Sequence, residues 1–78
     1  MGQVDFYKVT ILKMLGRNIK KKRLMRGYSQ EELALRINSA RNFIGCIERA
    51  EKSSTIFTLY RISKALNVKV SDLVEDID

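Results

Sequence analysis

Histidine and proline are absent from this 78-residue sequence, and cysteine occurs once, as Cys46. A single cysteine cannot close a disulfide within the chain, and without histidine most of the usual ligands of a zinc site are missing. No nucleophile can be paired with an imidazole base, and there is no glycine-rich phosphate loop. We therefore expect a protein that is not an enzyme and that uses no metal, no other cofactor and no small-molecule ligand.

Long apolar segments are also lacking. No run approaches the roughly 20 residues that a membrane-spanning helix needs, and the first residues lack the apolar segment of a signal peptide. We expect a cytoplasmic protein that is not a membrane protein. A chain of this length buries a modest core but can fold without disulfides or metals, so residues 1–78 are predicted to form a single domain.

Positive charge is abundant and unevenly distributed. The sequence has 15 basic and 9 acidic residues, a net charge of +6. Residues 70–78 contain four acids and no base, so the preceding 69 residues hold 15 bases against five acids, a net charge of +10. Eight of the bases lie between Lys8 and Arg26. A basic body with a short acidic tail indicates a polyanionic partner, such as nucleic acid or an anionic membrane surface.

The apolar pattern predicts an all-α fold of five helices, because residues recur at helical spacing and no useful β-like alternation occurs. Helix 1 is expected from about residue 5 or 10 to Arg26, so that residues 1–9 are an extension or its start. Gly27 ends it, since glycine readily takes positive φ. Ser29 caps helix 2, and Glu32 three residues later suggests a capping box.

The other helices follow in quick succession. Only residues 38–40 separate helix 2 from helix 3, which is predicted from Arg41 to about Arg49. Thr55 can cap helix 4, and Asn67 can end it in the left-handed conformation. A short fifth helix from about Val70 and an acidic tail occupy residues 70–78. The residues expected to face the core are Leu12, Leu15, Ile19, Leu33, Ala34, Ile37, Ala40, Ile44, Ile47, Leu59, Ile62, Leu66, Val70 and Leu73.

The third helix has two faces when each residue advances by 100°. Ile44 and Ile47 lie on the inward face, with Glu48 at its border. The opposite face carries Arg41, Asn42, Gly45, Cys46 and Arg49. Arginine and asparagine are shaped for bidentate contacts to guanine and adenine in the DNA major groove, and glycine permits close approach to a partner surface. A capped short helix, a tight turn and this helix are the helix-turn-helix arrangement, in which the second helix enters the groove.

Several motifs resemble the phage repressor/Cro-like (XRE-type) helix-turn-helix family over residues 15–68. They are Arg23 before the glycine turn, GYSQEELA, the tripeptide IER, and LNV. The segment RNFIGCIER is most similar to the controller proteins of restriction–modification systems. The resemblance implies a compact five-helix, repressor-like DNA-binding domain with the helix-turn-helix formed by helices 2 and 3.

The resemblance also implies roles for individual residues. Base contacts are expected from Arg41, Asn42 and Cys46. DNA backbone contacts are expected from Gln30, Phe43, Arg49, Lys52 and Ser53. The N–H groups and positive end of helix 2 agree with the role of Gln30. Phe43 stands where controller proteins usually have tyrosine, so the phenolic contact is lost.

Arg23 and Glu48 correspond to an ion pair that joins helix 1 to helix 3 in this family. A pair is also expected on physical grounds, because an unpaired carboxylate beside the inward face would be costly. Several positions depart from the family pattern, and three of these are in or next to the helix-turn-helix. Ala40 replaces a Ser or Thr cap, at a cost of about 1 kcal/mol. Asn38 replaces the glycine of the turn, and Ala50 replaces the Gly or Asn that commonly follows helix 3.

The function expected from these features is sequence-specific binding of double-stranded DNA by a transcriptional regulator. One recognition helix covers only a few base pairs, so we expect a homodimer on a pseudo-palindromic operator. The candidate residues of the dimer interface are Ile56, Phe57, Val70, Leu73 and Val74. Helical spacing also makes Val70 and Leu73 candidates for the core.

Other functions are open. An antitoxin-like module would bind a protein partner and autoregulate its operon, and only residues 1–9 offer a binding extension. Lys20–Arg23 could bind RNA or a membrane surface without sequence preference, but stacking aromatics and an exposed apolar helix face are not evident. Oxidation of Cys46 could block DNA binding, which would require a reactive thiol.

Overall fold

Five α-helices form the protein in a computed structural model, which describes residues 6–76. Their bounds are α1 Phe6–Met25, α2 Gln30–Arg36, α3 Arg41–Glu48, α4 Ile56–Leu66 and α5 Val70–Leu73. No strand occurs within this part of the chain, and the all-α prediction is confirmed. No helix between residues 6 and 76 is long and apolar enough to cross a membrane.

The helix ends follow the sequence signals closely. Gly27 has φ +74 just after α1, and the Ser29 hydroxyl accepts a hydrogen bond from Glu32 N at 3.0 Å. The Thr55 hydroxyl accepts from Thr58 N at 3.1 Å, and Asn67 ends α4 with φ +57. Local hydrogen bonding therefore determines where these helices begin and end.

The predicted capping box at α2 is only half formed among the described residues. Ser29 makes its bond, but the carboxylate of Glu32 accepts from Arg36 Nη2 at 3.2 Å instead of from the backbone of Ser29. Glu32 and Arg36 lie one turn apart on the exposed side of the helix, where an ion pair of this kind forms easily.

The core is made by one face of each helix. Its buried members are Leu15, Ile19, Leu33, Ala34, Ile37, Ile44, Ile47, Leu59, Ile62, Leu66 and Leu73. Three predictions for this core were wrong or incomplete. Leu12 and Val70 are only half-buried, and Ala40 is exposed. Ala40 is the residue before α3, so its extended backbone (φ −87, ψ +148) removes it from the helical face on which it was placed.

Gly16 lets α1 lie directly against the end of α3. A Cβ atom at this position would be 2.5 Å from the carbonyl oxygen of Ile47 and 2.7 Å from that of Glu48. These are backbone atoms and cannot move aside without moving α3. Any larger residue at position 16 would therefore change the orientation of α3.

Asn18 fixes the segment after α5. Its buried side-chain amide donates to the carbonyl oxygen of Leu73 at 3.0 Å and to that of Glu75 at 2.8 Å. These carbonyl groups lie at and just after the end of the four-residue α5, where carbonyl groups lack intrahelical partners. The start of the acidic tail is thus attached to the middle of α1.

Candidate nucleic-acid interface

The turn between α2 and α3 is closed by backbone hydrogen bonds. Asn38 takes φ +57, and the N–H of Ser39 donates to Ala34 O at 2.8 Å while that of Asn38 donates to Leu35 O at 3.1 Å. This is the Schellman pattern of a helix that ends in a left-handed residue. Asparagine replaces glycine here because it tolerates positive φ. The two helices are thereby held in a helix-turn-helix.

Arg41 and Asn42 are both exposed at the start of α3. Ala40, which precedes them, has no side-chain cap bond, so no side chain of the cap residue covers the N–H groups of the first turn. The exposure of Arg41 and Asn42 shows that the two candidate base-reading residues face outward.

An ion pair at the centre of the domain connects α1 to α3. Arg23 Nε donates to Glu48 Oε2 at 2.7 Å and Arg23 Nη2 donates to Glu48 Oε1 at 3.0 Å. The two side chains are only 7% and 3% exposed. Arg23 Nη1 also donates to the carbonyl oxygen of Tyr28 at 2.7 Å. The guanidinium thus bonds the end of α3 and the loop before α2 at the same time.

Gln30 belongs to the same network. Its amide nitrogen donates to Glu48 Oε1 at 3.1 Å, and the side chain is half-buried. Its amide oxygen would lie 3.6 Å from a Cβ at Gly45. The amide is therefore turned along the recognition helix. One of its two N–H donors is bonded to Glu48, and the second is left for a phosphate contact through the side chain.

Phe43, expected to contact the DNA backbone, packs against the core and is half-buried. This side chain lies between the inward and outward faces of α3, and without a phenol it has no polar atom to project outward. Its main contacts are therefore apolar ones within the protein.

Gly45 was expected to face a partner surface directly, but it is buried by its own chain. A Cβ atom here would be 2.9 Å from Arg49 Nη1 and 3.6 Å from the amide oxygen of Gln30. The space above Gly45 is filled by the ends of these two side chains. In the free protein, the missing side chain makes room for Arg49.

Arg49 lies just after the last helical residue of α3 and pairs with Glu51. Its Nε donates to Glu51 Oε2 at 2.9 Å and its Nη2 donates to Glu51 Oε1 at 3.1 Å. Arg49 Nη2 is also 3.8 Å from the sulfur of Cys46. The hydrogen bond raises the pKa of Arg49 and lowers the pKa of the Glu51 carboxyl. Both groups are exposed, so the pair is charged and accessible to solvent.

The chain leaves α3 through a second left-handed turn. Ala50 has φ +62, and the N–H of Glu51 donates to Cys46 O at 2.8 Å. This turn folds Glu51 back against the end of the helix, which brings it to Arg49. Lys52 and Ser53 follow and are exposed.

The candidate dimer residues divide into exposed and buried ones. Ile56 and Phe57 are 70% and 67% exposed at the start of α4, and Val74 is 38% exposed. Leu73 is completely buried, so it is a core residue and cannot contact another copy. Val70 is half-buried. The candidate dimer residues that are exposed are thus mainly those at the start of α4.

Comparison with known proteins supports this description. A sequence model for the helix-turn-helix family (HTH_3) matches residues 19–73 of the chain. The chain belongs to this helix-turn-helix family. It is 35% identical over 74 residues to the control protein C.SmaI of Serratia marcescens, with 95% of this chain and 88% of the relative covered.

Solved structures of helix-turn-helix proteins agree in fold. An HTH_3 family transcriptional regulator from Vibrio cholerae superposes with a TM-score of 0.80 at 30% identity, covering 85% of this chain, which spans 37% of that protein. The restriction–modification controller protein C.Esp1396I, as a tetramer in complex with its natural 35-base-pair operator, gives a TM-score of 0.75 at 37% identity. That comparison covers 86% of this chain and 88% of the controller chain. The resemblance inferred from the sequence is confirmed.

Sequence reasoning missed Glu51 and Gly16. A glycine on the helix-1 face that carries Leu15 and Ile19 was the available signal for a close helix approach. Glu51 gave no such signal, because its contact with Arg49 depends on the left-handed turn at Ala50.

Proposed function

We propose that this protein is a transcriptional regulator that binds double-stranded DNA in a sequence-specific manner, of the kind found in restriction–modification control. The observation that carries the proposal is the exposed pair Arg41 and Asn42 at the start of the second helix of a helix-turn-helix. It is supported by similarity to C.SmaI over 95% of the chain. A bidentate contact from either residue could discriminate one base pair by about 1–3 kcal/mol.

The regulator would act as a homodimer on a pseudo-palindromic operator. A single short helix reads too few base pairs to select one site in a genome, and two copies on related half-sites multiply the selectivity. Ile56, Phe57 and Val74 are the exposed apolar residues that we assign to the interface. Regulation by DNA binding does not involve catalysis. The regulator would act in the compartment where the DNA lies, which agrees with the cytoplasmic location expected from the sequence.

The antitoxin-like alternative is not favoured. Residues 1–9 were the segment expected to bind a protein partner. Residues 1–5 lie outside the described residues, and Phe6–Val9 form the start of α1. The similar proteins described above are named as regulators and control proteins.

Selection of bound DNA from a random pool at a stated salt concentration tests the proposal. We expect enrichment of one sequence in two inverted copies whose centres lie about 10 base pairs, or a multiple of this, apart. Retention of DNA without any enriched sequence would contradict it, and would indicate binding through net charge alone.

A further inference from the structure

The side chain of Arg49 crosses the recognition face of α3. Instead of extending beyond the helix, it lies above Gly45, with Nη1 2.9 Å from the place of a Cβ atom. Its Nη2 is within 3.8 Å of the sulfur of Cys46, the residue expected to contact a base one turn after Asn42. Arg49 therefore lies on the surface assigned to base reading and not only next to it.

Glu51 occupies one particular edge of this guanidinium. Nε and Nη2 donate in parallel to the two carboxylate oxygens at 2.9 and 3.1 Å. Among residues 6–76, no carboxylate is bonded to the adjacent edge, which offers one N–H from Nη1 and one from Nη2. Within the same residues, the thiol of Cys46, a weak acceptor, is the only group bonded on that side. Two parallel N–H donors are the arrangement that donates to O6 and N7 of guanine in the major groove.

We propose that Arg49 reads a guanine in the major groove, that Glu51 is the positioning residue that aims its free edge, and that Gly45 leaves the space in which the guanidinium lies. This inference rests on the proposed DNA-binding function and assigns Arg49 a role different from the backbone contact expected from sequence. Holding the guanidinium in advance reduces the conformational entropy lost on binding.

Stability gives little reason for the arrangement. Arg49 and Glu51 are 58% and 54% exposed in their side chains, and exposed ion pairs contribute little to folding. Glycine within a helix also lowers stability relative to alanine. The Arg49–Glu51 pair and Gly45 thus add little or nothing to folding stability. We explain them instead by the guanidinium that they present to DNA.

A different role for Glu51 predicts the opposite effect of mutation. If Arg49 contacted phosphate, Glu51 would compete with the DNA for it. Glu51→Gln would then increase the affinity for every sequence. If Glu51 aims Arg49 at a base, the same substitution decreases affinity for the operator and relaxes the preference at one base pair in each half-site.

The experiment measures the binding of variants to the duplex that the wild-type protein selects, and to that duplex with each base pair substituted in turn. Arg49→Ala and Arg49→Lys should both reduce the preference at the same base pair by roughly 5- to 150-fold. Lysine keeps the charge but lacks the fork of parallel donors, so a phosphate contact would largely survive this change. Glu51→Gln should reduce the same preference by a smaller factor, and its effect should largely disappear when Arg49 is already alanine.

Gly45→Ala adds an independent test. The new Cβ meets the flexible end of Arg49 and not the backbone, so the protein should fold while the guanidinium is displaced. We expect a thermal midpoint equal to or above that of the wild type, together with a weaker preference at the same base pair. A purely structural glycine would show the reverse, a lower midpoint with unchanged base preference.

Glu75→Gln is the matched control, since it also removes one exposed carboxylate and should leave all base preferences unchanged. If the wild type selects a sequence but Arg49→Ala, Arg49→Lys and Glu51→Gln retain every base preference, the role of Arg49 is wrong and the proposed function stands. If Glu51→Gln increases affinity for all sequences alike, Glu51 shields a phosphate contact and the inference is overturned. If the wild type selects no sequence, the proposed function fails and this inference fails with it.

Discussion

Arg23 and Glu48 form two parallel hydrogen bonds, 2.7 and 3.0 Å long, between the buried faces of α1 and α3. A third hydrogen bond connects Arg23 to the carbonyl oxygen of Tyr28, and Gln30 adds a fourth to Glu48. No buried side-chain nitrogen or oxygen atom of residues 6–76 lacks a hydrogen-bond partner. The pair therefore fixes the recognition helix on the body of the protein. Either charge alone would be poorly solvated at this buried position.

Glu48→Ala should destabilise the protein by about 3–5 kcal/mol, because it leaves the guanidinium of Arg23 buried without its anion. Urea unfolding followed by circular dichroism measures the change. Glu32→Ala, which removes the exposed pair with Arg36, is the control and should cost only about 0.3–0.5 kcal/mol for the lost pair. Similar losses for the two variants would show that the buried pair is not structurally important.

Gly16→Ala should destabilise the protein by about 1–3 kcal/mol, as overpacking does in other proteins. The added methyl group would lie within 3 Å of two backbone carbonyl oxygens at the end of α3. The comparison is with Gly45→Ala, which should gain up to about 1 kcal/mol from helix propensity. Equal thermal stability of the two variants would refute this account of α1–α3 packing.

Ala50→Gly should raise stability by up to about 1 kcal/mol. Alanine at φ +62 bears the cost of the left-handed conformation, about 1–2 kcal/mol, which glycine avoids. Part of the gain is offset by the larger entropy of glycine in the unfolded chain. Thermal unfolding measures it, and a lower midpoint for Ala50→Gly would show that the turn differs from the one described.

Arg41→Ala and Lys52→Ala should weaken DNA binding in different ways. Loss of Arg41 should cost roughly 1–3 kcal/mol on the selected operator and relax the preference at one base pair. Loss of Lys52 should weaken all sequences similarly and reduce the slope of log K against log salt by about 1. Titrations at several salt concentrations distinguish them. Unchanged base preferences for Arg41→Ala would contradict the assignment of the recognition helix.

Phe57→Ser should convert the proposed dimer to a monomer without unfolding it, because the ring is already 67% exposed. Sedimentation velocity gives the mass, and circular dichroism reports the helix content. Leu35→Ser is the matched control, since Leu35 is an equally exposed apolar residue, at 73%, on α2. A dimer that persists in Phe57→Ser would place the interface elsewhere.

Much of the fold follows from short-range patterns that the sequence states directly. Ser29, Thr55, Gly27 and Asn67 mark helix ends through hydrogen bonds or backbone angles that involve only near neighbours. Helical periodicity likewise identified Ile44 and Ile47 as core residues. The sequence by itself thus determined five helices, the helix-turn-helix and the outward position of Arg41.

Tertiary structure decided how the recognition face is arranged. Ala50 turns the chain so that Glu51 meets Arg49, and the guanidinium then covers Gly45, which periodicity alone had left open. Leu73 was placed in the core and not at an interface because α5 packs on α1 and α4. These outcomes depend on contacts between segments whose relative orientation no local pattern specifies, whereas the helices themselves depend on residues within a turn or two.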